Sequence, residues 1–266
     1  MISGVLLWTV TVVLVLASLL AVVKVPFGAL QGLAFPRLQF FCIAAGLALL
    51  FLVVPVWKGN LGALIAVGVA AVQAAYIAPF TPLWGRQSRQ ADSEMVAQTD
   101  CQISLMAANV KLSNRAYHRL IELVHREAPD VLMAIEVDAD WIAVLKDALS
   151  ADYPHTIEVA LDTGYGLCVL SRLPLEDAQV RDLITQGVPS IRTKVTLRDG
   201  QAVRLYVVHP EPPVINHDTV GRDSEIAMIG LEAAEDPLPA IVSAGVLQHL
   251  QCHASLDALA VGSSVS

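Results

Sequence analysis

The chain has 266 residues and a formal net charge of −8, unevenly placed: residues 1–80 hold only Lys24, Arg37 and Lys58 and no acid, while the rest carries 14 − 25 = −11. Such a split speaks against a uniformly water-soluble chain and marks an apolar segment joined to a soluble one. Cys42, Cys101, Cys168 and Cys252 are dispersed with no C-x-x-C pair, so no disulfide framework or zinc site is implied, and a soluble part at −11 without a basic stripe argues against tight non-specific binding of duplex DNA.

Three uncharged runs come first, at 1–23, 38–57 and 61–84. About 20 apolar residues at a rise of about 1.5 Å each span a bilayer, and a charge at its centre costs about 2.5–3.5 kcal/mol. The three charges accordingly sit between the runs, and three spans are expected over residues 1–84. The first run lacks a basic leader and a small-residue cleavage site, which separates it from a signal peptide. The basic residues Lys24, Arg37, Arg86 and Arg89 stand against Lys58 alone, a narrow balance that favours the cytoplasmic side of what reads as a bacterial inner membrane for the C-terminal part, with a periplasmic or extracellular domain as the alternative.

Residues 85–101 are polar, lack periodicity and read as a linker. From there strands and helices alternate. A short apolar strand over 102–108 ends at Asn109. Ser113 stands where a helix N-cap belongs, and Leu120, Ile121 and Val124 form one apolar face through Glu127. A second buried strand at 130–135 leads to Glu136, followed by Trp141, Leu145 and Leu149 at helical spacing. Strands are expected at 156–160, 166–170 and 178–183, with a turn at Asp162-Thr163-Gly164. The Asp199-Gly200 pair joins strands 191–197 and 202–208 as a hairpin. A helix over 218–234 and a strand from Ala240 complete an α/β pattern.

Open α/β sheets bind ligands beyond the carboxyl ends of their strands, which singles out Asn109, Glu136 and His209. A carboxylate and an amide oxygen are hard ligands suited to Mg²⁺, and a histidine can donate to a phosphate oxygen. Each has a plain structural alternative: a turn asparagine, a strand-end carboxylate, a histidine fixed before Pro210. His118 and His125, seven apart on one helix, read as a solvated face. His249, Cys252 and His253 have helical ligand spacing but no fourth ligand, and Arg222, Asp223 and Glu225 read as surface charges.

The order Asn109, PDVLMAIE (129–136), GYGLCVLSRLPL (164–175), PSIRTKV (189–195) and VRLYVVHP (203–210) resembles the endonuclease/exonuclease/phosphatase superfamily of DNase-I-like phosphoesterases. The resemblance implies a four-layered α/β sandwich, here expected as a partial domain over 102–245 behind transmembrane helices. It also implies metal-dependent phosphoester hydrolysis with Mg²⁺ or Mn²⁺. By it Glu136 is the metal carboxylate, Asn109 an active-site amide near metal and phosphate, and His209 the first catalytic histidine. Ser171 and Arg172 match a family strand end, and Arg192 is a candidate to reach a phosphate, its plain alternative being a solvated hairpin arginine. The implied partners are a phosphoester substrate (lipid, small metabolite or nucleic acid) and the lipid bilayer, with no protein partner.

The family pattern continues with Gly-Asp-x-Asn and later Ser-Asp-His. Here Gly245 is followed by Val246, Leu247 and Gln248, no Ser-Asp-His follows, and residues 246–266 have lost the resemblance. The expectation is a frameshifted, truncated or divergent end with little or no turnover, the alternative reading being a membrane-tethered pseudoenzyme.

Overall fold

The computed structural model describes residues 2–23, 26–85, 93–212 and 219–244. These form two compact units, one drawn from residues 1–87 and 212–220, the other from 88–211 and 221–266.

The first unit is helical. Helices α1 (Ile2–Leu20), α3 (Arg37–Val53) and α4 (Gly59–Ile77) are apolar, and a short α2 (Gly28–Gly32), not foreseen from the sequence, lies in the first connection. Helices α1 and α4 are long and apolar enough to cross a membrane. Helix α3, expected to run to residue 57, has 17 residues, about 25 Å against about 30 Å of hydrocarbon. Pro55 explains the early stop, since the residue before a proline is driven out of the helical region, and Val54 is extended at φ −92°, ψ 122°. Leu14, Ala44, Leu47, Ala48 and Ala66 pack between the three helices. One polar side chain is fully enclosed there: Gln73 donates to the Ser18 hydroxyl at 3.0 Å and accepts from Arg37 at 3.3 Å. Arg37 also donates to the Ala21 carbonyl at 3.2 Å and lies over the Tyr76 ring at 3.9 Å, so the amide of Gln73 and the guanidinium of Arg37 are both matched. Thr219 belongs with this unit, its N–H donating to the Pro26 carbonyl at 3.1 Å and its hydroxyl accepting from Gln31 at 2.7 Å.

The second unit opens with a short helix, α5 (Ser93–Ala97), inside the expected linker. Two four-stranded sheets follow. The first has the order β1 (Leu105–Asn109), β2 (Val131–Ile135), β4 (Leu167–Ser171), β3 (His155–Val159), with β1 and β2 parallel and the other pairs antiparallel. The second has the order β5 (Leu175–Asp182), β6 (Pro189–Thr196), β7 (Ala202–Val208), β8 (Ala240–Ala244), antiparallel except for the parallel β7–β8 pair. Period-two alternation sorts the side chains. Leu105, Ala107, Val131, Met133, Ile135, Leu167 and Val169 face Ile191, Val195, Val203, Leu205 and Val207 in one core between the sheets. The other face of the first sheet, with Met106, Leu132, Ala134, Cys168 and Leu170, is covered by Leu120 and Val124 of α6 (Tyr117–Glu127) and by Trp141, Leu145 and Leu149 of α7 (Ala139–Leu149). Tyr206 and Val208 on the outer face of the second sheet meet Ile229 of α8 (Val220–Glu235). The result is the four-layered α/β/β/α sandwich.

Local chemistry moves one helix start. Ser113 is exposed and caps nothing, and α6 begins at Tyr117. Asn114 acts instead, its side chain accepting from the Ala116 N–H at 3.0 Å and donating to the Val110 carbonyl at 3.1 Å, so a turn precedes the helix. Asp138 caps α7 by accepting from the Trp141 N–H at 2.9 Å.

Candidate active site

Parallel pairing of β1 with β2 sets Asn109 opposite Ile135, so Asn109 and Glu136 leave the first sheet at the same edge. Glu136 takes a left-handed backbone conformation, φ +62°, which a residue with a Cβ adopts only where its surroundings impose it. Two contacts impose it here. The Val110 N–H reaches the Ile135 carbonyl at 3.0 Å, and the Val137 N–H reaches the Gly166 carbonyl at 3.2 Å. Gly166 has no room for a side chain, because a Cβ would stand 1.8 Å from the Val137 carbonyl oxygen. That close approach brings the start of β4 against the bend carrying Glu136.

Asn109 Nδ2 donates to Glu136 Oε1 at 2.5 Å, while its Oδ1 accepts from the Lys111 N–H at 2.9 Å. Lys111 is itself left-handed, φ +59°, and the next N–H, of Leu112, points at Glu136 Oε2 at 3.4 Å. His209, one residue past β7, places Nε2 3.5 Å from Glu136 Oε1. Its Nδ1 is buried and has no partner among the described residues. Burial lowers the His209 pKa and outweighs the opposing charge and hydrogen bond of Glu136, so the ring is neutral at pH 7. Tyr165 lies against it, ring centroids 5.7 Å apart and planes tilted by 49°. Burial, then Glu211 and Glu136, raises the Tyr165 pKa and keeps its hydroxyl protonated.

The structure thus brings Asn109, Glu136 and His209 together and adds Tyr165 and the Lys111 and Leu112 amides, which sequence reasoning passed over. The one sequence signal for Tyr165 is its place before a glycine that backbone crowding requires. Other candidates fall elsewhere. Because β4 runs antiparallel to β2, Ser171 pairs with Val131 at the opposite edge, where its hydroxyl closes a turn with Leu173. The Arg172 guanidinium lies over the Tyr153 ring there, at 4.9 Å. Arg192 does not reach toward the site: it pairs with Glu232 at 3.0 Å and Asp236 at 2.9 Å beneath α8. Glu225 is no surface charge but is buried, with 3% of its surface exposed. His118 and His125 are exposed on α6, while His249, Cys252, His253, Val246 and Gln248 lie outside the described residues.

Among the described residues no three His, Cys, Asp or Glu side chains converge to hold a metal. The donor set still suits one cation. Magnesium is commonly bound by one or two carboxylates and completes its shell with water and substrate oxygens. Among the described residues Glu136 Oε2 makes only the long contact with Leu112, leaving lone pairs to give. Asn109 in this arrangement presents its nitrogen to Glu136 and spends its oxygen on Lys111, so it orients the carboxylate.

Residues 106–245 match the sequence profile of the Endonuclease/Exonuclease/phosphatase family, more than half of the chain. No curated protein matches. Among solved structures, D. rerio TDP2 in complex with a single-strand DNA product is similar at 20% identity and TM-score 0.46, covering 53% of this chain and 58% of that one. TDP2 from C. elegans aligns at 17% identity and TM-score 0.42 over 77% of this chain and 63% of that one. The endonuclease/exonuclease/phosphatase from Beutenbergia cavernae aligns at 20% identity and TM-score 0.43 over 53% and 46%. The chain spans about three fifths of the length of the TDP2 structures it matches.

Proposed function

We propose, for a chain that belongs to the endonuclease/exonuclease/phosphatase family, that its sandwich unit hydrolyses a phosphate ester with a divalent ion held at Glu136. The observation that carries this is the meeting of Asn109 and Glu136 from the first sheet with His209 from the second, Asn109 and His209 lying 2.5 and 3.5 Å from Glu136 Oε1. A bound Mg²⁺, or Mn²⁺ in its place, would supply charge neutralisation at the phosphate and a more acidic water. Neutral His209, with the proton assigned to the Nε2 that faces Glu136, offers an N–H to a non-bridging phosphate oxygen as charge builds. Asn109 fixes the rotation of the Glu136 carboxylate, and Tyr165 backs the His209 ring.

In this reading residues 1–84 anchor the protein in a bilayer, 85–101 connect, 102–245 belong to a partial phosphoesterase domain and 246–266 are a tail atypical in sequence. Helices α1 and α4 support the anchor by length and composition. The −11 charge of the rest favours a lipid phosphodiester or small phosphorylated metabolite over duplex nucleic acid.

Hydrolysis of bis(p-nitrophenyl) phosphate by the full chain in detergent, with Mg²⁺ and with EDTA, tests the activity. Metal-dependent turnover that falls about 100-fold or more in Glu136→Gln and in His209→Ala is expected; turnover indifferent to both substitutions would overturn the assignment. A second reading, binding without cleavage, is favoured by one observation. Strand β8 runs parallel to β7 with Ala244 opposite Val208, and the sequence past it carries Val246 and Gln248 where the family pattern has Asp and Asn. Mn²⁺ binding measured by electron paramagnetic resonance separates the two: binding that Glu136→Gln abolishes, without turnover in the parent chain, selects the second.

A further inference from the structure

Glu225 on α8 is enclosed with nothing described to offset its charge. Its Oε1 is buried and has no hydrogen-bond partner among the described residues, whereas the buried carboxylates of Asp130, Asp138 and Asp236 are each met by an arginine. Other oxygens stand beside it. Strands β5 and β7 flank β6 antiparallel, so both end at one edge, β5 at Asp182 and β7 at Val208, just before His209. Helix α8 follows β7 and leads to the parallel β8, so its first turn, with Gly221, lies at that edge. A Cβ on Gly221 would stand 3.1 Å from Thr185 Oγ1 and 3.2 Å from Glu211 Oε2, and these two are hydrogen-bonded at 3.1 Å. Glu225 lies one turn further on, on the same side of the helix, and helical side chains lean back toward the N-terminus. Its carboxyl is thereby aimed over the bare Gly221 backbone at Thr185 and Glu211. Burial first, then the charges of Glu211 and Asp182, raise the Glu225 pKa, in keeping with that placement. The described partners of Glu211 and Asp182 are neutral, the Thr185 hydroxyl and the Gly187 N–H at 2.8 Å.

We propose that Glu225 and Glu211 hold a divalent cation between them, Ca²⁺, with the Thr185 hydroxyl as a neutral third ligand. The site uses two carboxylates and a hydroxyl rather than three acids. Buried charges are paired or coordinate metals, and two carboxylates balance one divalent ion. Mg²⁺ keeps several waters, for which a residue as enclosed as Glu225 leaves little room, whereas Ca²⁺ accepts carboxylates through both oxygens in flexible geometry. Glu211 is only half-buried, so water completes the shell on its side. The site is separate from Glu136 and does not depend on phosphoester hydrolysis. It borders the candidate active site, since Glu211 is among the charges that raise the Tyr165 pKa. The ion ties the segment after His209 to α8 and to the connection between β5 and β6.

The test titrates Ca²⁺ by isothermal calorimetry into the full chain in detergent, stripped of metal by chelator, and reads the thermal unfolding midpoint at pH 7 with and without Ca²⁺. Glu136→Gln is the background, so that an ion at the candidate active site does not contribute, and Glu225→Gln and Glu211→Gln are each added to it. The proposal expects Glu136→Gln alone to bind Ca²⁺ and to unfold at a higher temperature with it, and both double variants to lose the two responses. Without Ca²⁺ the double variant with Glu225→Gln should unfold no earlier than Glu136→Gln, because the amide removes an unmatched buried charge, so lost binding is not lost folding. A lower midpoint there would mean that the carboxyl has a protein partner, and would overturn the inference. Ca²⁺ binding that survives either added substitution would overturn it equally. Binding by the parent chain that Glu136→Gln abolishes would put the ion at Glu136, ending this inference and leaving the phosphoesterase reading in place. Binding kept in Glu136→Gln and lost in both double variants supports the site even if turnover proves indifferent to Glu136.

Discussion

Gly166→Ala is the substitution through which fold and site are tested together. The added Cβ would stand 1.8 Å from the Val137 carbonyl oxygen, 2.9 Å from the Val137 carbonyl carbon and 3.0 Å from the Leu161 nitrogen. All three are backbone atoms, so no side chain can rotate away. Restoring even a 3.0 Å contact parts the start of β4 from the Val137 bend by about 1.2 Å. Overpacking of that kind costs about 1–3 kcal/mol, and the Leu161 N–H to Val137 carbonyl bond, already 3.4 Å, is lost with it. The displacement is passed to Glu136 one residue earlier, whose left-handed conformation depends on the Val137–Gly166 contact. With Glu136 as the proposed metal carboxylate, disturbing what orients it lowers metal affinity about 10–100-fold. Thermal unfolding of the full chain in detergent and Mn²⁺ binding by electron paramagnetic resonance read the two effects. A Gly166→Ala protein with parental unfolding midpoint and parental Mn²⁺ affinity would refute the crowding argument.

Three further outcomes are expected. Asp236→Ala leaves Arg204, Arg192, Tyr206 and the Leu238 N–H without their shared acceptor, which has 1% of its side chain exposed. A loss of about 3–5 kcal/mol follows for breaking a buried ion-pair cluster, visible as a lower denaturation midpoint in urea. Arg192→Gln should weaken stability while leaving KM unchanged, since Arg192 serves α8 rather than substrate; a raised KM at unchanged stability would reverse that assignment. The acid side of the stability profile has two opposed contributions. Asp236 is held below the usual carboxylate range, burial being outweighed by the Leu238 N–H and Arg204, so its contribution is present above about pH 3.9 and is lost as pH falls below it. Glu225 is pushed the other way by burial and by Glu211 and Asp182, so its penalty is absent below about pH 4.3 and grows as pH rises. Glu225→Gln should therefore stabilise the protein at pH 7 and not at pH 4, and equal midpoints at both would count against the buried carboxyl.

Much of the sandwich was legible because its strands are short apolar runs with clear punctuation. The Asp199-Gly200 hairpin formed as expected, with Thr196 opposite Ala202 and Gly200 at φ +86°. Helix starts were less legible: Ser113 has the chemistry of a cap, but Asn114 binds back to Val110 and delays the helix to Tyr117. The apolar runs were over-read at their ends for a similar reason, since composition does not register that Pro55 forces Val54 out of α3. Glu225 was misread because helical charges are usually solvated, and nothing in the local sequence says which side of α8 meets the sheet.

The site depended on strand direction, which residue order does not carry. Asn109, Glu136 and His209 all end strands whose carboxyl ends reach one edge: β1 and β2 are parallel, and His209 leaves β7 within 3.5 Å of the Glu136 carboxylate. Ser171 and Arg172 also end a strand, with the same appearance in sequence, yet β4 is antiparallel to β2 and delivers them to the far edge. The useful end of β4 is its beginning, where Tyr165 and Gly166 sit, and a rule that inspects strand ends overlooks it. Lys111 and Tyr165 come from different loops, the Lys111 N–H bound to Asn109 Oδ1 and the Tyr165 ring tilted against His209. Neither belongs to a strand, so the strand pairing that positions Asn109, Glu136 and His209 does not pass through them.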